Sequence, residues 1–101
     1  MQDDNFIWDN IKNEINIKKH GISFQEARDV FYDVNSITDA DFEHSYDEER
    51  FIIIGMTKAT KLLCVCHCYR EDGDVIRLIS ARKADKNETN LYWEEYNEEI
   101  Y

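Results

Sequence analysis

The sequence predicts an α+β domain: two N-terminal helices packed on a small antiparallel sheet, with a further helix at the C-terminal end. Three observations carry this. Two capped helical segments open the chain, three apolar runs punctuated by turn residues follow, and a capping pair introduces a last helical stretch. A single domain over residues 1–101 is expected from the length of 101 residues.

Phe6-Ile7-Trp8 reads as a short edge strand. Asp9 is placed as an N-cap, and the helix it opens is expected to run to about Lys19, with His20 at its end and Gly21 as the left-handed cap. Ile11 and Ile15 mark its expected buried stripe, while Lys12, Asn16 and Lys19 recur at helical spacing on an adjacent face. Ser23-Phe24-Gln25-Glu26 fits a capping box for a second helix reaching about Tyr32, with Phe24, Ala27 and Phe31 on one face. Residues 33–49 are polar and acidic, with a short strand expected at 36–39. Arg50 to Met56, Lys61 to Tyr69 and Val75 to Ala81 read as strands, and Asp72-Gly73 is a hairpin signal, so the three form an antiparallel meander. The unbroken apolar character of Phe51 to Ile54 predicts a strand covered on both faces. Asp85-x-x-Glu88 opens the last helix, to which Leu91, Tyr92 and Ile100 give apolar contacts. Its acidic end (Glu94, Glu95, Glu98, Glu99) opposes the helix dipole and predicts a frayed last turn.

Proline is absent, no apolar run approaches a membrane span, and Met1 to Asp4 lack the basic region of a signal peptide, so a cytoplasmic protein is expected. The net charge of −10 argues against a broad affinity for nucleic acid. The charge is uneven, however. Acids crowd residues 41–50 and 91–101, whereas Lys12, Lys18, Lys19, His20, Arg77, Arg82, Lys83 and Lys86 fall into two groups with few acids among them. Screening confines charge effects to roughly 8 Å at physiological salt, so a local basic patch can act on an acidic molecule.

Cys64-x-Cys66-His67-Cys68 invites a metal reading. On a strand, the three thiols would stand in a row at roughly 6.8 Å intervals, with His67 on the other face, and cannot close on one ion. Packed, inert thiols are therefore expected, a redox or metal-sensing role being the alternative. In Ile76-Arg77-Leu78-Ile79-Ser80-Ala81-Arg82-Lys83-Ala84 the arginines interrupt an apolar strand. Each must meet an acid or an anion. An internal ion pair and a phosphate cradle both satisfy that need, since guanidinium suits phosphate through its fork of donors. Lys19-His20-Gly21, with Lys12 and Asn16, is either a helix end whose cations suit the dipole or a group able to move a proton near neutral pH. No Ser-His-Asp arrangement, phosphate-binding glycine loop or metalloprotease motif is present.

These groups join in one resemblance. Trp8-Asp9-x-x-Lys12-x-x-x-Asn16-x-x-Lys19-His20-Gly21-Ile22-Ser23-Phe24-x-x-Ala27 resembles the opening of the BrnT toxin family of type II toxin–antitoxin systems. His44-Ser45, Glu49-Arg50-Phe51 and Gly55 look like its middle, and Ile76 to Ala84 with Glu88 and Tyr92 looks like its closing signature. The resemblance implies a RelE-like fold and a ribonuclease that inhibits translation. It also implies a BrnA-type antitoxin with a ribbon-helix-helix part, which neutralises the toxin and alone contacts operator DNA. The substrate would be RNA, free or on the ribosome, and neither a cofactor nor a membrane is implied.

The chemistry expected is metal-independent cleavage in which the 2′-hydroxyl attacks the adjacent phosphorus. That reaction needs a base, stabilisation of the phosphorane charge and an acid for the leaving oxygen. Arg77, Arg82 and Lys83 are the candidates for phosphate stabilisation and His20 for proton transfer, with Lys12, Lys19 and Arg50 positioning the RNA. The competing reading is a noncatalytic module that only holds a DNA-binding partner, and it predicts basic residues paired internally with acids.

Overall fold

The computed structural model describes residues 5–41, 43 and 48–100, the last three by backbone alone. Its element order is β1 (Phe6–Ile7), α1 (Asn10–His20), α2 (Phe24–Ala27), a 3-10 turn (Arg28–Tyr32), β2 (Ile37–Ala40), β3 (Phe51–Met56), β4 (Leu62–Arg70), a second 3-10 turn (Glu71–Gly73), β5 (Val75–Lys83) and α3 (Lys86–Ile100). The strands form one sheet in the order β1-β5-β4-β3-β2. β2 to β5 pair antiparallel, whereas β1 pairs parallel to β5, so the sheet is mixed rather than purely antiparallel. The His44-Ser45 pair lies outside the described residues.

The helix boundaries follow the capping chemistry. Asp9 accepts the Ile11 and Lys12 amides at 2.8 and 3.1 Å, and Gly21 closes α1 at φ 71° with its amide on the Ile17 carbonyl. Ser23 accepts the Glu26 amide, but the Glu26 carboxylate pairs with Lys61 at 2.8 Å. With the expected box half made, α2 gives way to the 3-10 turn after one turn. At α3 the reciprocal pair is complete: Asp85 and Glu88 exchange amide bonds, each at 2.8 Å. Despite its acidic end, α3 keeps helical backbone to Ile100.

Two apolar clusters cover the two faces of the sheet. Ile53, Leu63, Val65, Leu78 and Ala81 pack under Phe6, Ile22, Phe24, Ala27 and Val30. On the other face Ile54 and Cys64 meet Tyr92 of α3, bordered by Ile37, Ile52, Met56 and Leu62. β3 is thus buried from both sides, as its unbroken apolar run predicts. Gly55 permits the close approach of the 3-10 turn, because a Cβ there would lie 2.9 Å from the Val30 Cβ.

The first helix inverts its expected orientation. Ile11 and Ile15 are 68% and 56% exposed, and the residues α1 buries are Asn13 and Asn16. The cause is the edge of β5. β1 pairs with β5 only at Ile76 and Arg77. Farther along, the Asn16 side chain replaces a strand: its Oδ1 accepts the Ala81 amide at 3.0 Å, and its Nδ2 donates to the Ala81 carbonyl at 2.8 Å. The same Nδ2 reaches the Ile22 carbonyl at 2.8 Å, while Asn13 accepts the Phe24 amide at 2.8 Å. Buried backbone groups left without partners cost more than a methyl-rich stripe gains at the periphery of a core. The amides therefore fix the helix and the isoleucines face outward.

His67 lies fully buried on the helical face, edge-on to Phe31 with ring centroids 4.8 Å apart and to Tyr69 at 5.4 Å. The Val65 carbonyl, 3.2 Å from Nδ1, can only accept, so Nδ1 carries the proton and Nε2 faces the Tyr69 hydroxyl at 3.4 Å. Desolvation depresses the imidazole below its ordinary 6.5 and keeps it neutral.

Two outcomes follow. Asn16→Ala is expected to lower stability by about 3 kcal/mol, read from urea midpoints, since it strands buried peptide groups of β5; an unchanged midpoint would remove Asn16 from the fold's supports. Because the folded chain takes up the His67 proton less readily than the unfolded chain, stability is unaffected by this group above pH 6.5 and declines as pH falls below it. The melting temperature of wild type should decline between pH 7 and about pH 5, and His67→Phe should flatten that decline.

Candidate ribonuclease cleft

β5 carries the arginines, and its geometry decides where they point. Arg77 and Arg82 are five residues apart, so strict alternation would put them on opposite faces. A bulge opposite Cys66/His67 resets the register, pairing Cys66 with Ser80 and His67 with Leu78. Arg77 then faces Cys68 and Arg82 faces Cys64, both on the side away from α1 and α2. Cys64 and Cys68 are four residues apart along β4, roughly 13 Å from the rise per residue, so the two guanidinium groups share a face but not a pocket. Lys83, paired with Leu63, turns to the helical side and is exposed.

α3 covers only one end of this face. Beside it lies a cleft of about 140 Å³ lined by Asp41, Arg50, Ile52, Cys64, Cys66, Ile79, Ser80 and Arg82. Of the residues nominated from the sequence, the cleft gathers Arg50 and Arg82. His20, Lys12 and Lys19 belong to α1 at the outer edge of β5, and neither they nor Arg77 and Lys83 line it. The expected single pocket joining His20 to Arg77 and Arg82 is not formed by this cleft: Arg82 lines it, Arg77 lies roughly 13 Å along the same face, and His20 sits on α1 at the outer edge of β5.

Arg82 is held from behind. Its Nη1 and Nη2 donate to the two Glu88 oxygens at 2.7 and 2.9 Å, and Nη1 also reaches the Lys83 carbonyl at 3.3 Å. Guanidinium has five N–H donors. Glu88 takes the end-on fork, which leaves the side-on fork, Nε–H and one Nη2–H, unused among the described residues. The contact pulls Glu88 below its ordinary 4.5, chiefly through the Arg82 hydrogen bonds, and raises Arg82 further. Both groups are charged throughout the neutral range. Arg70 at the far end of the face forms an ion pair with Glu48.

The thiols of the cleft are neutral. Burial pushes Cys64 up to about 12 and Cys66 up to about 11, with Cys68 raised as well. All three are free, and Cys66 donates weakly to Asp41 at 3.8 Å. Neutral, packed thiols are poor nucleophiles. Among the described residues, no three His, Cys, Asp or Glu side chains converge to hold a metal ion. No helix among them is long and apolar enough to cross a membrane.

Sequence reasoning missed Asp41 and Ser80 as cleft residues. Asp41 stands in a segment so rich in acids that no spacing distinguishes it, and Ser80 is aimed by the bulge, which no turn residue announces.

A mixed sheet with a cleft holding two arginines on one face and helices on the other defines a class of small α+β domain. The comparisons make the class specific. The model of the family "Ribonuclease toxin, BrnT, of type II toxin-antitoxin system" matches residues 8–88, and the chain belongs to that family. The crystal structure of the Brucella abortus ribonuclease toxin, BrnT, is similar in fold, with a TM-score of 0.62 at 22% identity, covering 80% of this chain and 96% of that one. No curated protein matches the sequence. The family assigns this chain a toxin role and ribonuclease activity, with RNA as substrate and an antitoxin as partner.

Proposed function

We propose that the chain is a metal-independent endoribonuclease of RelE-like type that halts translation, and that the cleft between Arg50 and Arg82 holds the scissile phosphodiester. The observation that carries this is Arg82, gripped by both Glu88 oxygens through Nη1 and Nη2 and lining a cleft shared with Arg50, Asp41 and Ser80. Donors that are held in place before the substrate arrives stabilise a phosphorane without reorganising. Two guanidinium groups supply the positive charge that a metal ion would otherwise bring.

In this reading the 2′-oxygen attacks phosphorus and its proton passes to the Asp41 carboxylate. The bond from phosphorus to the 5′-oxygen breaks, water protonates the leaving oxygen, and the products are a 2′,3′-cyclic phosphate and a 5′-hydroxyl end. Asp41 replaces His20 as the proton acceptor, because it lines the cleft and His20 does not. Arg77, Lys83, Lys12 and Lys19 take no part in this step. The antitoxin is of BrnA type, with a ribbon-helix-helix part through which the pair meets operator DNA.

One observation favours a second reading. The Arg82–Glu88 pair is the internal ion pair that a noncatalytic, partner-holding module predicts. Purified protein separates the two. Arg82→Lys keeps a cation for Glu88 but loses the side-on fork, and it should cut RNA about 10²–10³-fold more slowly than wild type, with an unchanged melting temperature. Arg50→Ala should cost a similar factor, and chelator should leave the wild-type rate unaltered. Full activity in a folded Arg82→Lys, or cleavage that stops with chelator, would contradict the mechanism. A wild-type chain that leaves RNA intact would favour the module.

A further inference from the structure

The outward face of α1 is the strongest feature that the cleft does not use. On a helix at 100° per residue, the buried Asn13 and Asn16 define the inner side, and Ile11 and Ile15 fall opposite them, one turn apart. Single exposed apolar residues carry no information. Here the helix turns two asparagines inside and two β-branched side chains outside, the latter at 68% and 56% exposure. Isoleucine adds nothing to an exposed helix surface in helix propensity. Lys12 and Lys19 flank the pair on one side and Lys18 with Glu14 lies on the other, so cations outnumber acids on this face of a strongly acidic chain. Among the described residues Lys12, Lys18 and Lys19 form no ion pair.

We infer that this face docks the antitoxin, through a segment that lays aliphatic side chains over Ile11 and Ile15 and sets carboxylates against Lys12 and Lys19. The inference rests on the antitoxin of the reading above. The charge argument selects the occupant. A second copy docking through this same face would bring lysine to lysine, and RNA would use the lysines while leaving the isoleucines wet. An apolar segment with acidic neighbours satisfies both. The face lies on the helical side, apart from the Arg50–Arg82 cleft, so holding the toxin and blocking its chemistry are separable acts.

The test uses the full chain and the purified antitoxin encoded with it, by titration calorimetry. The double variant Ile11→Glu, Ile15→Glu should bind about 100-fold more weakly than wild type, as expected for losing a central apolar contact. Lys12→Glu with Lys19→Glu should weaken binding and reduce its dependence on salt. Val34→Glu, at a position 92% exposed elsewhere, should change nothing. The isoleucine variant should melt like wild type and should still cut RNA when alone. The inference is overturned if the folded isoleucine variant binds as tightly as wild type, if Val34→Glu weakens binding equally, or if wild type does not bind the antitoxin. It is also overturned if the variant loses RNA cleavage and keeps the antitoxin. A wild-type chain that binds through Ile11 and Ile15 but leaves RNA intact would refute the nuclease reading and leave the docking face standing.

Discussion

The arrangement depends on one side chain standing in for a strand. Asn16 gives the exposed edge of β5 both hydrogen bonds that a neighbouring strand would have supplied at Ala81. Edge peptide groups near a core must find partners, and a primary amide matches a peptide group in both donor and acceptor. Its consequences run in two directions. Inward, it lets β1 stop after two residues while α1 closes the rest of the edge. Outward, it turns Ile11 and Ile15 to solvent and carries Lys12 and Lys19 away from the arginines of β5.

The second constraint is the bulge in β5. It brings Arg82 and Ser80 onto the face that α3 leaves partly open, and the capping pair at the start of α3 then serves two purposes. Glu88 closes the helix N-terminus through Asp85 and grips the end of Arg82. A helix start and a cleft-lining arginine are thereby aligned by the same carboxylate. The buried thiols beside them remain protonated and pack as small apolar groups, which leaves the Arg50 and Arg82 guanidinium groups and the Asp41 carboxylate as the charged groups of the cleft.

Local chemistry made much of the fold legible. Asp9, Gly21, Ser23 and the Asp85-Glu88 pair mark helix ends in the sequence, and the apolar runs mark β3, β4 and β5 within a residue or two. The orientation of α1 was not legible, because periodicity ranks isoleucine as inside and has no way to register an unpaired strand edge 65 residues away. The parallel pairing of β1 was hidden for the same reason: two residues carry no directional signal. The site was legible in part. Arg50 and Arg82, both nominated from the sequence, line the cleft, whereas His20, nominated with Arg82, lies on α1 outside it. Only the bulge and the Asn16 anchor, both long-range features, separate them.

RNA bound as proposed lies on the sheet face bearing Arg50 and Arg82 and off α1. The most direct test is a map of backbone amide shifts as a short RNA, 2′-O-methylated throughout so that it cannot form a cyclic phosphate, is titrated into the labelled chain. The largest shifts should centre on Asp41, Arg50, Ser80 and Arg82. Shifts confined to residues 12–20, with the cleft silent, would contradict the account and return the chemistry to His20 and its neighbours.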